Sequence, residues 1–185
     1  MRRKSRLVLC LSVPCAVAAG SGCDEGESDP TARSRPDSSV SVGCSAAITN
    51  RVAPRWRAKS VVRGRVGVYG GGTDIRTADR WGRSAFWTKI PVIVAGHRPV
   101  TVRISARDRD RVGLTYGPGT STPASSRDGA RGLAAAPREM RFVPCQDRAT
   151  TAWPGGLALA DRRGVTLQVR LAGQPWRSLS IPVRG

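Results

Sequence analysis

Val165-Thr166-Leu167-Gln168-Val169-Arg170-Leu171 alternates apolar and polar side chains without interruption. Val165, Leu167, Val169 and Leu171 therefore point to one face of an extended strand, and Thr166, Gln168 and Arg170 to the other. Asp161-Arg162-Arg163-Gly164 makes a turn before this strand and Ala172-Gly173-Gln174-Pro175 one after it. Trp176 to Val183 then returns with Leu179, Ile181 and Val183 two apart. A strand, a polar turn and a returning strand of the same period make an antiparallel pair.

The same design recurs toward the N-terminus. Phe86 to Ala95 is a strongly apolar run, Gly96-His97-Arg98-Pro99 a tight turn, and Val100 to Ile104 alternates with Val100, Val102 and Ile104 inward. Asp108 and Asp110 lie in a polar turn that reads as salt-bridged and solvated, and Val112 to Tyr116 follows as a strand. Val61 to Tyr69 reads as one strand alternating around Arg63 and Arg65 and ending at Gly70-Gly71-Gly72. Glu139 to Val143 and Gly156 to Ala160 supply two more. Asp74 to Trp81 has room for one helical turn. Gly117 to Pro137, rich in Gly, Ser, Pro and Ala, has no period and reads as a long mobile surface loop.

About seven or eight strands at this spacing, with no long helix, predict an all-β fold: a single immunoglobulin-like antiparallel β-sandwich, with a small closed barrel as the alternative. Residues 41–185 form this domain.

The chain opens with MRRKSRLVLCLSVPCAVAAGSGC, a cationic segment (Arg2, Arg3, Lys4, Arg6), an apolar stretch from Leu7 to Ala19, and small residues suited to a peptidase. This order is that of an export signal, expected over residues 1–22. The apolar stretch falls short of the roughly 20 residues that a spanning helix needs, and Pro14 interrupts it. Cleavage within Ala16 to Ala19 would release a secreted protein. Cleavage before Cys23 would yield a lipoprotein, with Ser21 and Gly22 suiting that motif and Gly20 standing where an aliphatic residue is usual. Residues 23–40, dominated by Asp, Glu, Ser, Pro, Thr and Arg, bury little apolar area and read as a disordered tether.

Of five cysteines, Cys10 and Cys15 fall in the signal, leaving Cys23, Cys44 and Cys145. Three cannot all pair internally in an oxidising compartment. If Cys44 and Cys145 bridge, Cys23 is left over where a lipid would be attached, and such a bridge would close a loop of roughly 100 residues.

The formal charge of +18 falls by four, to +14, when Arg2, Arg3, Lys4 and Arg6 are removed. A field of this size favours anionic partners without choosing among them. Lys4, Lys59 and Lys89 are the only lysines among 31 basic residues, and arginine-heavy usage of this kind also follows from GC-rich codons.

Phe142-Val143-Pro144-Cys145, Trp153-Pro154-Gly155-Gly156 and the Val165-x-Leu167-x-Val169 strand, in that order, resemble a group of small exported actinobacterial proteins of uncharacterised function. Arg111 to Gly117 and Lys89 to Val94 fit the same order, so the resemblance covers Val61 to Val183. It implies an exported β-domain and supplies no catalytic residues. Where those proteins often carry a cysteine just before the alternating strand, this chain has Gly164, so Cys145 is paired with Cys44.

Chemistry is sparse. His97 is the one histidine and sits in a turn, and no serine stands in a Gly-x-Ser-x-Gly elbow. One histidine and scattered cysteines lack zinc-ligand spacing. The arginines at 107, 109 and 111 oppose a cation at Asp108 and Asp110. Gly70 to Gly72 lacks the Lys-Ser/Thr of a phosphate loop. No catalytic residue, metal or cofactor is therefore expected. The arginines carry the one functional reading: Arg63, Arg65, Arg103 and Arg170, outward on their strands, would grip phosphate or carboxylate oxygens bidentately.

The expectation is a non-catalytic binding or accessory module of the bacterial cell envelope. A lipid on Cys23 would hold it to the outer face of the cytoplasmic membrane. Its partner would be an envelope protein or anionic envelope polymer, and nucleic acid is not expected. The competing expectations are a freely secreted protein and a hydrolase-like enzyme using His97 with a serine or aspartate.

Overall fold

The computed structural model describes residues 40–48, 52–69 and 78–183. The expected signal, Cys23 and nearly all of the expected tether lie outside them; Val40 already belongs to the first strand.

Thirteen strands lie in the described residues: β1 (Val40–Val42), β2 (Ser60–Arg63), β3 (Val66–Tyr69), β4 (Asp79–Trp81), β5 (Ala85–Lys89), β6 (Val92–Ala95), β7 (Val100–Ile104), β8 (Val112–Tyr116), β9 (Glu139–Phe142), β10 (Thr150–Trp153), β11 (Gly155–Leu159), β12 (Val165–Leu171) and β13 (Arg177–Ile181). One short helix, α1 (Gly129–Ala135), joins them. The fold is all-β.

A five-stranded sheet has the order β1-β9-β7-β12-β13, and two four-stranded sheets have the orders β10-β6-β3-β2 and β4-β5-β11-β8. The two smaller sheets share a continuous register. β6 pairs with β10 through Val92 and Trp153, and β5 with β11 through Lys89 and Gly156, so Pro91 falls opposite Pro154 between them. Proline offers no N–H to a ladder, and the paired prolines divide one long two-stranded ribbon into two sheets.

The five-stranded sheet packs its inner face against this bent pair. Val100, Val102, Ile104, Met140, Phe142, Leu167, Val169, Leu179 and Ile181 come from one side, and Val66, Val68, Val92, Val94, Val112, Leu114, Leu157 and Leu159 from the other. Along Val165 to Leu171, Val165, Leu167 and Val169 are buried and Arg170 is exposed as expected, while Thr166 is buried as well and Leu171 is only half-buried.

Four expectations are corrected. Val61 to Tyr69 is not one strand but two, because Arg63 pairs with Val66 around a two-residue turn at Gly64-Arg65. Gly64 takes φ +60° there, as the first central position of such a turn requires. The sheets are not wholly antiparallel, since β1 runs parallel to β9. The strand count exceeds seven or eight because Pro91 and the Gly64-Arg65 turn cut runs that read as continuous, and because β1, β4 and β10 fall outside the expected strands.

The fourth correction concerns Gly117 to Pro137, which contains α1. Asp128 caps it, accepting from Arg131 N–H at 3.0 Å. Its glycines allow a close approach: a Cβ on Gly132 would lie 2.2 Å from the Trp81 ring, and one on Gly129 2.0 Å from the Trp81 carbonyl. Trp81 in turn donates from Nε1 to Ser126 O at 2.7 Å. Of the helical turn suggested over Asp74 to Trp81, residues 79–81 are strand and 74–77 lie outside the described residues.

Cys44 and Cys145 form a disulfide across 101 residues. It fastens the segment after β1 to the loop after β9.

Candidate functional site

On the outer face of the five-stranded sheet, alternation and register together place Arg141, Thr101 and Arg170 abreast on β9, β7 and β12. One residue pair along the strands, Glu139, Arg103 and Gln168 form the next rank. Arg103 donates from Nε to Gln168 Oε1 at 2.8 Å, which fixes its direction.

Trp176, in the turn after β12, receives two of these arginines. The Arg103 guanidinium carbon lies 3.8 Å from the centre of an indole ring and that of Arg170 4.4 Å. Two like charges are thus held near one electron-rich ring, which offsets part of their repulsion. Beside them is a polar groove of about 390 Å³ lined by Thr101, Glu139, Arg141, Arg170 and Gln174, among others. Among the described residues no carboxylate forms an ion pair with Arg103, Arg141 or Arg170. Apart from Arg103 Nε, which donates to Gln168, their donors remain available to an anion.

The four arginines expected as one patch are divided. Arg103 and Arg170 come together, and Arg141 joins them from β9. Arg63 lies at the edge of another sheet, where its Nε donates to Ser178 O at 3.0 Å and ties β2 to β13. Arg65 sits in the β2–β3 turn, its carbonyl accepting from Ala95 N–H at 2.8 Å. The split follows from sheet membership, since β2 and β3 belong to a four-stranded sheet and β7, β9 and β12 to the five-stranded one.

His97 is exposed on the turn between β6 and β7, with Nδ1 3.2 Å from the Cys145 carbonyl oxygen. A carbonyl only accepts, so Nδ1 carries the proton. Thr151 Oγ1 meanwhile accepts from Cys145 N–H at 3.0 Å. These bonds brace the backbone beside the disulfide. Asp147 stands near the two cysteines, but both sulfurs are bonded to each other.

Asp108 is not in a solvated turn. It is buried, accepting from Ser105 Oγ at 3.0 Å, Thr166 N–H at 2.8 Å and Arg111 Nη2 at 2.6 Å. Arg111 also reaches Asp161 at 2.9 Å and the Gly164 carbonyl at 2.6 Å. The cluster clamps the β7–β8 connection to the β11–β12 turn. Burial pushes the Asp108 carboxyl up, but the bonds from Thr166, Arg111 and Ser105 outweigh it and hold the pKa below the ordinary aspartate value.

A second concavity lies on the outer face of β5, β8 and β11. Sequence reasoning missed it, although Trp87 and Lys89, two apart on one strand, share a face. Trp87 donates from Nε1 to Thr115 Oγ1 at 2.9 Å and lies beside Gly156. The groove has a volume of about 560 Å³ and is walled by Pro118, Pro123 and Pro154, with Lys89, Thr120 and Thr122 around it.

Compared with protein-family models, with curated proteins and with solved structures, the chain matches none.

Proposed function

We propose that the chain is an exported, membrane-tethered binding module of the bacterial cell envelope, with no catalytic role of its own, which grips an anionic envelope polymer or protein. The observation that carries this reading is the array of Arg141, Arg170 and Arg103 on the outer face of the five-stranded sheet, two of them stacked on Trp176. Guanidinium groups held in fixed directions lose little side-chain freedom when they meet carboxylate or phosphate oxygens. The position of His97, exposed and turned toward a backbone carbonyl, supports a structural role for it. An immunoglobulin-like arrangement of the sandwich and kinship with small exported actinobacterial proteins belong to the same proposal.

Retention of the oxidised protein on a phosphate- or carboxylate-bearing matrix tests the reading. Retention should fall steeply as salt rises, because screening shortens the reach of exposed charges. The double substitution Arg141→Gln, Arg170→Gln should lower it further than Arg63→Gln, Arg65→Gln. Equal losses from the two pairs would reduce the array to general surface charge. Mass spectrometry of the mature N-terminus tests the tether: a diacylglycerol on Cys23 supports it, and a free N-terminus after Ala18 or Ala19 would replace it with secretion.

A further inference from the structure

We infer that the Trp87 groove is a separate subsite for an acidic sugar, taking a hexuronate ring of a glycan. The register places Ala85, Trp87 and Lys89 on the outer face of β5, opposite Ala158 and Gly156 on β11 and beside Gly113 and Thr115 on β8. Small residues there leave the sheet surface low. At one end α1 fills that space, with Leu133 packed against Trp81, Ala85 and Ala158. At the other end the space stays open over Trp87.

Three features specify the ligand. Trp87 offers part of an indole whose orientation is fixed before any ligand arrives, because its N–H is already bonded to Thr115. The apolar C–H face of a pyranose packs on such a ring by dispersion and the hydrophobic effect. Lys89 is exposed, projects on the same side two residues along, and has no carboxylate partner among the described residues. The two positions are about 6.6 Å apart along a strand, so one ring can stack while its carboxylate meets the ammonium.

Donor accounting argues against the other occupant suited to an aromatic, proline-walled groove, an extended proline-rich peptide. Such a peptide presents bare carbonyls that need donors from the groove. Here the indole N–H is occupied, and Pro118, Pro123 and Pro154 have none to give. A sugar brings its own hydroxyl donors, and at the groove stand the oxygens of Thr120, whose hydroxyl already donates to Gly117 O at 3.0 Å, and of Thr122 to accept from them.

The test follows the Trp87 indole N–H signal by nuclear magnetic resonance in the oxidised protein, assigned by its loss in Trp87→Phe. Tetragalacturonate should shift this signal in a saturable way, and the neutral galactotetraose should need about tenfold more to do so, the factor expected for one charged hydrogen bond. Lys89→Gln should remove that difference, and as an exposed substitution it leaves folding intact even where Trp87→Ala does not. Arg141→Gln, Arg170→Gln should leave the titration unchanged, which separates this subsite from the arginine array. Equal affinity for the two sugars, an unmoved Trp87 signal, or a stronger response to a proline-rich peptide would each overturn the assignment.

Discussion

Pro91 and Pro154 stand opposite each other across the ribbon formed by β5–β6 and β10–β11, with no slip in register on either side. Neither proline donates, yet the corner is tightly bonded. Ile90 N–H donates to Gly155 O at 2.9 Å, and the buried Tyr116 hydroxyl donates to Ile90 O at 2.6 Å. Gly155 has φ +157°, and a Cβ there would lie 2.3 Å from the Tyr116 ring. Gly155→Ala should therefore cost more than about 2 kcal/mol in denaturant unfolding, as overpacking against a buried ring does. Tyr116→Phe should cost about 1–3 kcal/mol by stranding the Ile90 carbonyl. A neutral result for both would mean that the corner is held by the prolines alone.

Tyr116 also gives the corner a pH signature. Burial pushes its phenol far above the ordinary value. The folded protein therefore keeps a proton that the unfolded chain releases near pH 10, so stability falls as pH rises past about 10. In Tyr116→Phe this alkaline decline should be shallower, measured as melting temperature against pH from 8 to 11.

Asp108 makes the opposite prediction at acid pH. Its pKa is lowered in the fold, with burial opposing the shift and the bonds from Thr166, Arg111 and Ser105 producing it. Asp161 is lowered as well, chiefly by its bond to Arg163 and against the effect of burial. The stabilisation is complete above the unfolded value of about 4 and is lost as pH falls through the folded values. Asp108→Asn should cost about 3 kcal/mol at pH 7, because Arg111 loses its closest carboxylate inside the fold. It should also flatten the acid limb of the stability curve. With Asp161→Asn the effects should not add, since Arg111 holds both carboxylates.

The strands were legible in the sequence wherever one face is buried, because a period of two is all that such a strand needs; β7, β12 and β13 are the plain cases. What stayed hidden depends on pairing. Phe86 to Ala95 reads as one apolar run, and its division at Pro91 follows from Pro154, which is distant in sequence. Asp108 looks solvated among its neighbouring arginines, and its burial depends on Thr166, 58 residues away. Gly129 and Gly132 weaken the helical signal of α1 and are needed there only because Trp81 lies beneath. In the arginine array, the outward directions of Arg103 and Arg170 were readable from parity. Their meeting over Trp176 was not, since it depends on how the turn after β12 folds back.

The disulfide stabilises through the same kind of distant contact. Closing a loop of 101 residues removes enough freedom from the unfolded chain to contribute about 4–5 kcal/mol on the chain-entropy model. Reduction should lower the melting temperature by about 10 °C or more at this chain length. Thiol titration of the denatured, oxidised protein should find neither Cys44 nor Cys145 reactive. Titration of both would remove the bridge from the account of stability.

Thr88 offers a gain. It faces the core from β5, only 2% exposed, and among the described residues its hydroxyl oxygen has no hydrogen-bond partner. Its neighbours across the ladder are Leu157 and then Leu114, both fully buried. A stranded hydroxyl costs about 1–3 kcal/mol relative to an apolar group of the same shape. Valine has that shape and the β-branching that suits a strand. Thr88→Val should therefore raise stability by about 1 kcal/mol or more, read from the urea midpoint at unchanged slope. A lower midpoint would mean that the hydroxyl is satisfied by a buried water, whose removal then costs more than the methyl gains.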